Sequence, residues 1–489
     1  MRDCGVLLHI SSLPGKGGCG TMGKNAKRFI DYLNRAGQSC WQVLPLTPPS
    51  RGNSPYSSYS VFAGNPHLID LQALVDENLL PAAALDSIPD GTDKADFDEY
   101  SAVQIKILRE SFAYAGGNLK HAIDKFEKKN SFWLTDYALF MALKTVYEGD
   151  DYRSWPEDLR ICDEKAIRRA ESEYSAEISF WKYVQYIFFG QWRALKRYAG
   201  IRGIKIIGDM PIYVDADSAD VWANPKVFAL DDKLNPENVA GVPPDAFSED
   251  GQFWGNPLYN WTYLKWTRYD WWVKRAKVAA SMYDGIRIDH FRAIANYWAI
   301  PASSETAKKG AWKKGPGMDF IHVISKAMFE CDIIAEDLGL LDDSVRKLLR
   351  NSGLPGMKVL LFAFSTEEES DYLPHNFVQN CVGYIGTHDN DTVQGWLNSA
   401  PKDEAGFARR YLSIEDDSEA HWQFIRQLYA TSAERVIVQM QDILGLDASA
   451  RMNVPGIADG NWSWRLKDEQ LDIAHAKKLR AFAKTYCRI

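Results

Sequence analysis

The stretch DGIRIDHFR (284–292) ends a short apolar run at a carboxylate, Asp289. DIIAEDLG around Glu336 and GYIGTHDND around Asp389 have the same form. Apolar, β-branched runs of this length are typical of buried parallel strands, and a (β/α)8 barrel carries its chemistry at the C-terminal ends of such strands. The three carboxylates are therefore predicted to converge on one pocket, where a pair of carboxylates suits cleavage of a glycosidic bond.

Strand and helix patterns alternate on both sides of this stretch. The predicted strands cover residues 5–10, 39–46, 204–214, 285–289, 332–337, 358–364, 381–389 and 435–444. The predicted helices between and after them cover residues 23–37, 172–200, 317–330, 342–351, 419–433 and 467–484. This alternation favours an α/β fold of the closed (β/α)8 or TIM-barrel type over a doubly wound sheet.

Two segments interrupt the alternation. One catalytic barrel is predicted to span residues 1–489, with an inserted, mainly helical subdomain at 66–170 that has amphipathic patterns and charged loops. A second insertion at 217–275 is rich in Asp, Pro, Trp and Gly, and is predicted to form a loop-rich subdomain over the active site.

Composition excludes several classes of protein. The 57 Lys and Arg against 65 Asp and Glu give a net charge of −8, which disfavours a surface that binds nucleic acid. Seven scattered cysteines without metal-ligand spacing indicate reduced thiols in a cytoplasmic protein. The N-terminal apolar run is too short for a signal peptide, and no run of apolar residues is long enough to span a membrane. The sequence indicates no cofactor.

Aromatic residues make up 13% of the chain, and many lie in Pro-, Gly- and Asn-rich stretches such as 54–66 and 247–261. Flat rings with polar edges suit the apolar faces of sugars. For most of these rings, packing in a large core is the simpler interpretation.

In the strand GIRID, Arg287 and Asp289 point to one face because side chains alternate along a strand. A guanidinium beside a carboxylate lowers the pKa of the acid and keeps it anionic, as a nucleophile requires. The alternative is a buried Arg–Asp pair with a purely structural role.

Glu336 ends a nearly all-apolar strand, where burial is expected to raise its pKa and favour the protonated form of a general acid. Its alternative role is capping or ion pairing. His388 and Asp389 are candidates for holding sugar hydroxyls and stabilising positive charge, with a metal site as the weaker alternative. Asp209 is a fourth acid at the end of a predicted strand.

The whole chain resembles the 4-alpha-glucanotransferases of glycoside hydrolase family 77, also called amylomaltases or disproportionating enzymes. The motifs that carry the resemblance occur in the family's order: LLHISSLPG, WQVLPL, SPYSSYSVFAGNPHLIDL, GDMPIYV, GVPPDAFSEDGQFWGNPLYNW, GIRIDHFRA, AEDLG, GTHDNDT, RMNVPG and GNWSWR. The resemblance implies retaining transfer of alpha-1,4-glucan segments between maltodextrins, with malto-oligosaccharides, amylose or glycogen-derived dextrins as partners.

The resemblance also implies roles for individual residues. Asp289 matches the nucleophile, Glu336 the general acid/base and Asp389 the third catalytic acid. The expected substrate-binding residues are Tyr56, Asp209, Gln252, Trp254, Arg287 and His388. At Ala246 the family commonly has tyrosine, which makes acceptor affinity and the formation of large cyclic glucans open questions. A retaining hydrolase with the same acids and a non-catalytic glucan-binding protein are the alternative functions.

Overall fold

The computed structural model describes residues 2–244, 248–339, 341–367, 370–457 and 459–489, with the side chains of residues 98 and 99 excluded. In this part of the chain the strands are β1 Asp3–Leu7, β2 Cys40–Gln42, β3 Lys205–Met210, β4 Asn238–Val242, β5 Gln252–Pro257, β6 Gly285–Ile288, β7 Asn296–Pro301, β8 Ala311–Lys314, β9 Asp332–Ala335, β10 Gly356–Val359, β11 Cys381–Tyr384 and β12 Arg435–Gln439.

The α-helices in the described part of the chain lie between these strands or after the last of them. They are α1 Lys24–Arg35, α2 Leu71–Asp76, α3 Phe97–Asn130, α4 Leu134–Val146, α5 Glu157–Arg160, α6 Glu164–Glu173, α7 Ser175–Ile201, α8 Ala219–Ala223, α9 Trp261–Trp266, α10 Asp270–Met282, α11 Met318–Ala327, α12 Asp343–Ser352, α13 Val393–Ser399, α14 Lys402–Leu412, α15 Ala420–Ala430, α16 Met440–Ile443 and α17 Ile473–Thr485. Among the described helices, none is both long and apolar enough to cross a bilayer.

Eight of the described strands form one parallel sheet in the order β10-β11-β12-β1-β2-β3-β6-β9. The two ends of this sheet meet, because the N–H of Ala335 in β9 donates to the carbonyl of Pro355, just before β10, at 2.9 Å. The carboxylate of Asp337 accepts a 2.6 Å hydrogen bond from the N–H of Met357 at the same junction. The predicted (β/α)8 barrel is confirmed, and each predicted strand overlaps one strand of the barrel.

The predicted strands 358–364 and 435–444 extend past the observed ones. After β10 the chain forms a 3-10 turn at Leu360–Phe362, and after β12 it continues directly into α16. Both turns are largely buried, so the apolar run continues although the extended backbone has ended. Periodicity does not distinguish a buried strand from a short buried helical turn.

A second sheet is antiparallel and has the order β5-β4-β7-β8. The sequence analysis did not predict it. β5 carries two adjacent exposed residues and all four residues of β8 are exposed, so neither strand has the apolar run or the strict alternation that marks a strand. The sheet joins the segment after β3 to the segment after β6.

Local sequence explains why the elements near the site begin and end where they do. Asp342 caps the N-terminus of α12 by accepting from the N–H groups of Ser344 and Val345, and Gly353 follows the helix with φ +67°. In β3, a Cβ added at Gly208 would lie 2.5 Å from the ring of Tyr283. Glycine at position 208 thus allows a close contact with Tyr283 next to Asp209.

Candidate active site

Four carboxylates lie at the C-terminal end of the barrel, each at or after a strand end. Asp209 is the penultimate residue of β3, Asp289 directly follows β6, Glu336 directly follows β9, and Asp389 lies in the loop after β11. Parallel strands bring their C-terminal ends to one rim, so the sequence predicted both the placement and the convergence of these acids.

Arg287 connects two of the acids. Its Nη1 donates to both carboxylate oxygens of Asp209 at 2.9 and 2.7 Å, and to Oδ1 of Asp289 at 2.9 Å. The side chain of Asp209 is 0% exposed, whereas that of Asp289 is 28% exposed. Asp289 therefore faces the open cleft, and Asp209 is the fully buried partner of the Arg287 guanidinium.

Glu336 is oriented by backbone groups of two loops. Its Oε2 accepts from the N–H of His290 at 2.7 Å, and its Oε1 accepts from the N–H of Leu338 at 2.9 Å. Ile288 and Ala335 are register partners in β6 and β9, so Asp289 and Glu336 follow paired residues on neighbouring strands. The two carboxylates therefore lie side by side at the rim.

Electrostatics in the cluster correct one expectation. Burial raises the pKa of Asp289 to about 8, with Arg287 acting in the opposite direction and Asp209, Glu336 and Asp389 adding to the rise. The expectation that Arg287 gives Asp289 a lowered pKa was wrong, because burial outweighs the guanidinium, which is also shared with Asp209. Burial also raises the pKa of Glu336, as predicted.

Asp389 and His388 lie in the loop after β11, two strands from Glu336 around the closed barrel. Oδ1 of Asp389 accepts from Nδ2 of Asn453 at 2.6 Å and lies 3.3 Å from Nε2 of His388. Nη2 of Arg451 donates to the carbonyl of Asp389 at 2.5 Å. Burial lowers the pKa of His388, which favours its neutral form. Asp389 is thus a fixed carboxylate beside a neutral imidazole.

Tyr56 covers this side of the cluster. Its ring stacks on His388 with centroids 5.0 Å apart and planes 14° apart, and Trp462 lies 5.8 Å from it. The hydroxyl of Tyr56 donates to Oδ2 of Asp209 at 2.7 Å. Burial, followed by the charge of Asp209, raises the pKa of Tyr56 well above its ordinary value, so the phenol remains a donor.

The loop that carries Tyr56 is anchored by Asp215, which follows β3. Oδ2 of Asp215 accepts from Ser50 Oγ at 2.7 Å and from Ser57 Oγ. The next acid along, Asp217, forms a buried ion pair with Lys144 of α4. A continuous polar network therefore runs from the helical segment between β2 and β3 to the loop beside the acids.

Trp254 of β5 approaches the cluster from the antiparallel sheet, and Gln252 of the same strand contacts Trp254. The ring of Trp254 contacts the ring of His290 edge-on at 4.8 Å, and its Nε1 donates to Oε1 of Gln252 at 3.0 Å. His290 itself has a left-handed backbone conformation, φ 50° and ψ 48°. This turn directs the His290 N–H toward Glu336 and the imidazole toward Trp254.

Comparison with known proteins agrees with this geometry. A family model described as 4-alpha-glucanotransferase matches residues 8–471, which is nearly the whole chain. The chain belongs to the 4-alpha-glucanotransferase family. The resemblance predicted from the motifs is therefore confirmed, and the activity of the enzyme is transfer of 4-alpha-glucan segments.

Individual 4-alpha-glucanotransferases are similar over their full lengths. One from Clostridium butyricum is 43% identical over 98% of this chain and 100% of its own, and one from Thermus thermophilus is 43% identical over 100% and 99%. A solved structure, amylomaltase from Streptococcus agalactiae in complex with acarbose, is 38% identical, with a TM-score of 0.97 and full coverage of both chains. These matches favour transfer over the hydrolase and binding-protein alternatives.

The structure also indicates site residues of this 4-alpha-glucanotransferase that the sequence analysis did not single out. Asn453 and Arg451 bind Asp389 from a loop that follows β12, and Trp462 packs against Tyr56. The RMNVPG and GNWSWR motifs contain these residues, but a sequence does not report which strand-end acid a distant loop reaches. Asp215 was likewise not singled out by the sequence analysis.

Two further predictions concern Ala246 and a metal site. Ala246, the departure from the 4-alpha-glucanotransferase pattern, lies outside the described residues. Among the residues that the structure does describe, no group of three or more His, Cys, Asp or Glu is arranged to hold a metal ion.

Proposed function

We propose that this enzyme transfers alpha-1,4-glucan segments by a retaining double displacement in which Asp289 is the nucleophile, Glu336 the general acid/base and Asp389 the acid that stabilises the transition state. The observation that carries the proposal is the placement of Asp289 and Glu336 after register partners on neighbouring strands. Retaining glycosidases need their two carboxyl groups about 5–5.5 Å apart, and adjacent strand ends suit that separation.

In the first step, an oxygen of Asp289 forms an ester bond to the anomeric carbon while the bond from that carbon to the glycosidic oxygen breaks. Glu336 gives its proton to the departing oxygen. In the second step, Glu336 takes the proton of an acceptor's 4-hydroxyl, the acceptor oxygen attacks the anomeric carbon, and the ester breaks to restore the carboxylate of Asp289.

The charge balance of the cluster supports these roles. Asp289 and Glu336 share an environment that favours retention of one proton, because burial raises the pKa of both. Arg287 donates directly to Asp289 and not to Glu336 among the contacts described, so the ionised form is favoured at Asp289. The proton then remains on Glu336, where the leaving oxygen needs it.

We assign the remaining polar residues to the sugar that reacts. Asp389 and neutral His388 would accept and donate hydrogen bonds to its hydroxyl groups, and the Tyr56 ring would bound it on one side. Asp209 and Arg287 would keep the nucleophile in place. As the anomeric carbon gains positive charge, the fixed carboxylate of Asp389 would stabilise it more than it stabilises the ground state.

We assign Gln252 and Trp254 to binding of the glucan beyond the reacting sugar. Both lie in the segment 217–275, which we propose forms a subdomain over the active site, just as 66–170 forms a helical one. Transfer outcompetes hydrolysis when binding energy orders an acceptor in line with the ester and excludes water. The exposed ring of Trp254, 37% of its surface accessible, is suited to that stacking.

Incubation with maltotriose tests the reaction. Transfer gives a ladder of longer dextrins together with glucose, without a net gain of reducing ends. A rise in reducing ends that matches donor consumption would instead indicate hydrolysis. The nucleophile is tested by Asp289→Asn, which is expected to reduce kcat by at least about 10³-fold. Turnover at the wild-type rate in this variant would refute the assignment.

We further propose that the substrates are malto-oligosaccharides, amylose or glycogen-derived dextrins, and that the enzyme works in the cytoplasm. All seven cysteines are free, which suits a reducing compartment. The S. agalactiae relative binds acarbose, and a direct test here is competition of acarbose with maltotriose.

A further inference from the structure

Two tryptophans of the antiparallel sheet rest against the turn that follows Asp289. Trp254 of β5 contacts His290. Trp312 of β8 lies over Arg292, with the guanidinium carbon 4.1 Å from the ring centroid. The two indoles are 37% and 44% exposed, respectively. Trp254 is already assigned to glucan binding, whereas Trp312 has no role in the reaction described so far.

The side chain of Trp312 is fixed by contacts with Trp298 and Arg292. Its edge contacts Trp298, its register partner in β7, with centroids 5.1 Å apart and planes 64° apart. The Arg292 beneath it is buried and donates from Nη2 to Asn296 at 2.7 Å and to Asp342 at 3.3 Å. One face of the indole is therefore fixed by a cation, while much of the ring remains open to a ligand.

The position of Trp312 relates it to Glu336. The turn carrying Arg292 also supplies the His290 N–H to the Glu336 carboxylate and the Phe291 N–H to the Glu336 carbonyl. β6 and β9, whose ends carry Asp289 and Glu336, are neighbours in the barrel, whereas Asp389, His388 and Tyr56 belong to loops after β11 and β2. Trp312 is thus on the proton-donor side of the cleft.

We propose that Trp312 binds the glucan acceptor by stacking on the apolar face of a glucose unit. This inference rests on the proposed function, since Glu336 protonates the departing sugar and activates the incoming one, so both occupy its side of the scissile bond. An apolar plate that is already ordered binds a sugar ring without the entropy cost of fixing a flexible side chain. Trp254 and Trp312 then form two contacts along one acceptor chain.

Two-substrate kinetics test the proposal. The donor is α-maltosyl fluoride blocked at its terminal 4-hydroxyl, so that it cannot serve as acceptor, and the acceptor is maltotriose. In Trp312→Ala the KM for maltotriose is expected to rise about five- to tenfold, whereas the KM for the fluoride changes by less than about twofold. Trp312→Phe, which keeps a ring, is expected to give an intermediate acceptor KM.

Trp266→Ala is the matched control, because Trp266 ends α9 with 79% of its surface exposed and packs against Tyr263. Both KM values should stay at wild-type levels in that variant. Acceptor KM within about twofold of wild type in Trp312→Ala, or an equal rise of donor and acceptor KM, would overturn the proposal.

If Trp312→Ala does not fold, the same comparison in Trp312→Phe decides, with an expected acceptor effect of about two- to fivefold. A different measurement tests the proposed function: it would be refuted if Asp289→Asn retained wild-type turnover. That result is independent of the two KM values measured for Trp312.

Discussion

The N–H of His290 donates a 2.7 Å hydrogen bond to Oε2 of Glu336. Since His290 directly follows Asp289, the turn after the proposed nucleophile also positions the proposed acid/base. A change in the backbone of this turn moves both carboxylates together. The left-handed conformation of His290 is what aims its N–H across to the neighbouring strand end.

Glu336→Gln should reduce kcat on maltotriose by about 10²- to 10⁴-fold, because the amide has no proton to give to the leaving oxygen. Formation of the glycosyl-enzyme from α-maltosyl fluoride should be affected much less, since fluoride departs without protonation. Stopped-flow release of fluoride measures this step. An equal loss on both donors would contradict the acid role and indicate that the variant has lost the geometry set by the two backbone N–H groups.

The pH dependence of kcat/KM should show a basic limb near pH 8. Asp289 and Glu336 titrate as a pair, and burial raises the pKa of Asp289 to about 8 and also raises that of Glu336. The state with one proton is active, so activity falls as pH rises and that proton is lost. Initial rates on maltotriose over a pH series measure the limb, and its appearance below about pH 6 would contradict the burial argument.

Asp289→Asn should stabilise the fold, and increasingly so as pH rises. Burial raises the pKa values of both Asp289 and Glu336, that of Asp289 from 3.8 to about 8, so the native pair retains one proton that the unfolded chain releases. The stability contributed by that proton is complete below about pH 4 and lost as pH rises toward 8. Asparagine does not titrate, so the variant should exceed wild type by on the order of 1–3 kcal/mol at pH 8.

Denaturant unfolding of wild type and Asp289→Asn at pH 4 and pH 8 measures this difference, and the exposed Asp232→Asn is the control. If the free energies of unfolding of the two proteins differ by the same amount at both pH values, Asp289 is not the group that makes the stability depend on pH.

Asp215→Ala should reduce kcat/KM by about tenfold, because the loop carrying Tyr56 loses the acceptor for Ser50 and Ser57. The effect should shrink in a Tyr56→Phe background if it acts through the Tyr56 hydroxyl, and a double-mutant cycle measures this. Asp447→Ala is the control, since Asp447 accepts from Ser449 in an exposed loop. Full additivity in the cycle would contradict the positioning role.

The sequence was sufficient to predict the barrel and its acids, because both depend on local patterns. Buried parallel strands such as GIRID are continuous apolar runs, and Asp289 and Glu336 follow them directly. The helix predicted at 342–351 also lies within one residue of α12 at both ends. The four-stranded antiparallel sheet was not predicted, because β8 is exposed throughout, β5 has two adjacent exposed residues, and neither has an apolar pattern.

Long-range relations were also beyond the sequence. The pKa of Asp289 depends first on its burial and then on charges from other strand ends, so the neighbouring Arg287 alone gave the wrong direction. The hydrogen bond from Asn453 to Asp389 joins residues 64 positions apart. Such contacts depend on tertiary packing, and no sequence pattern around either residue indicates which residue it contacts.

The antiparallel sheet is assembled from two chain segments outside the barrel, one between β3 and β6 and one between β6 and β9. Its aromatic residues are thus mounted on a piece of backbone distinct from the strands that carry the acids. Substitutions or insertions in the antiparallel sheet could therefore change which oligomer lengths the enzyme prefers without altering the carboxylates that break the bond.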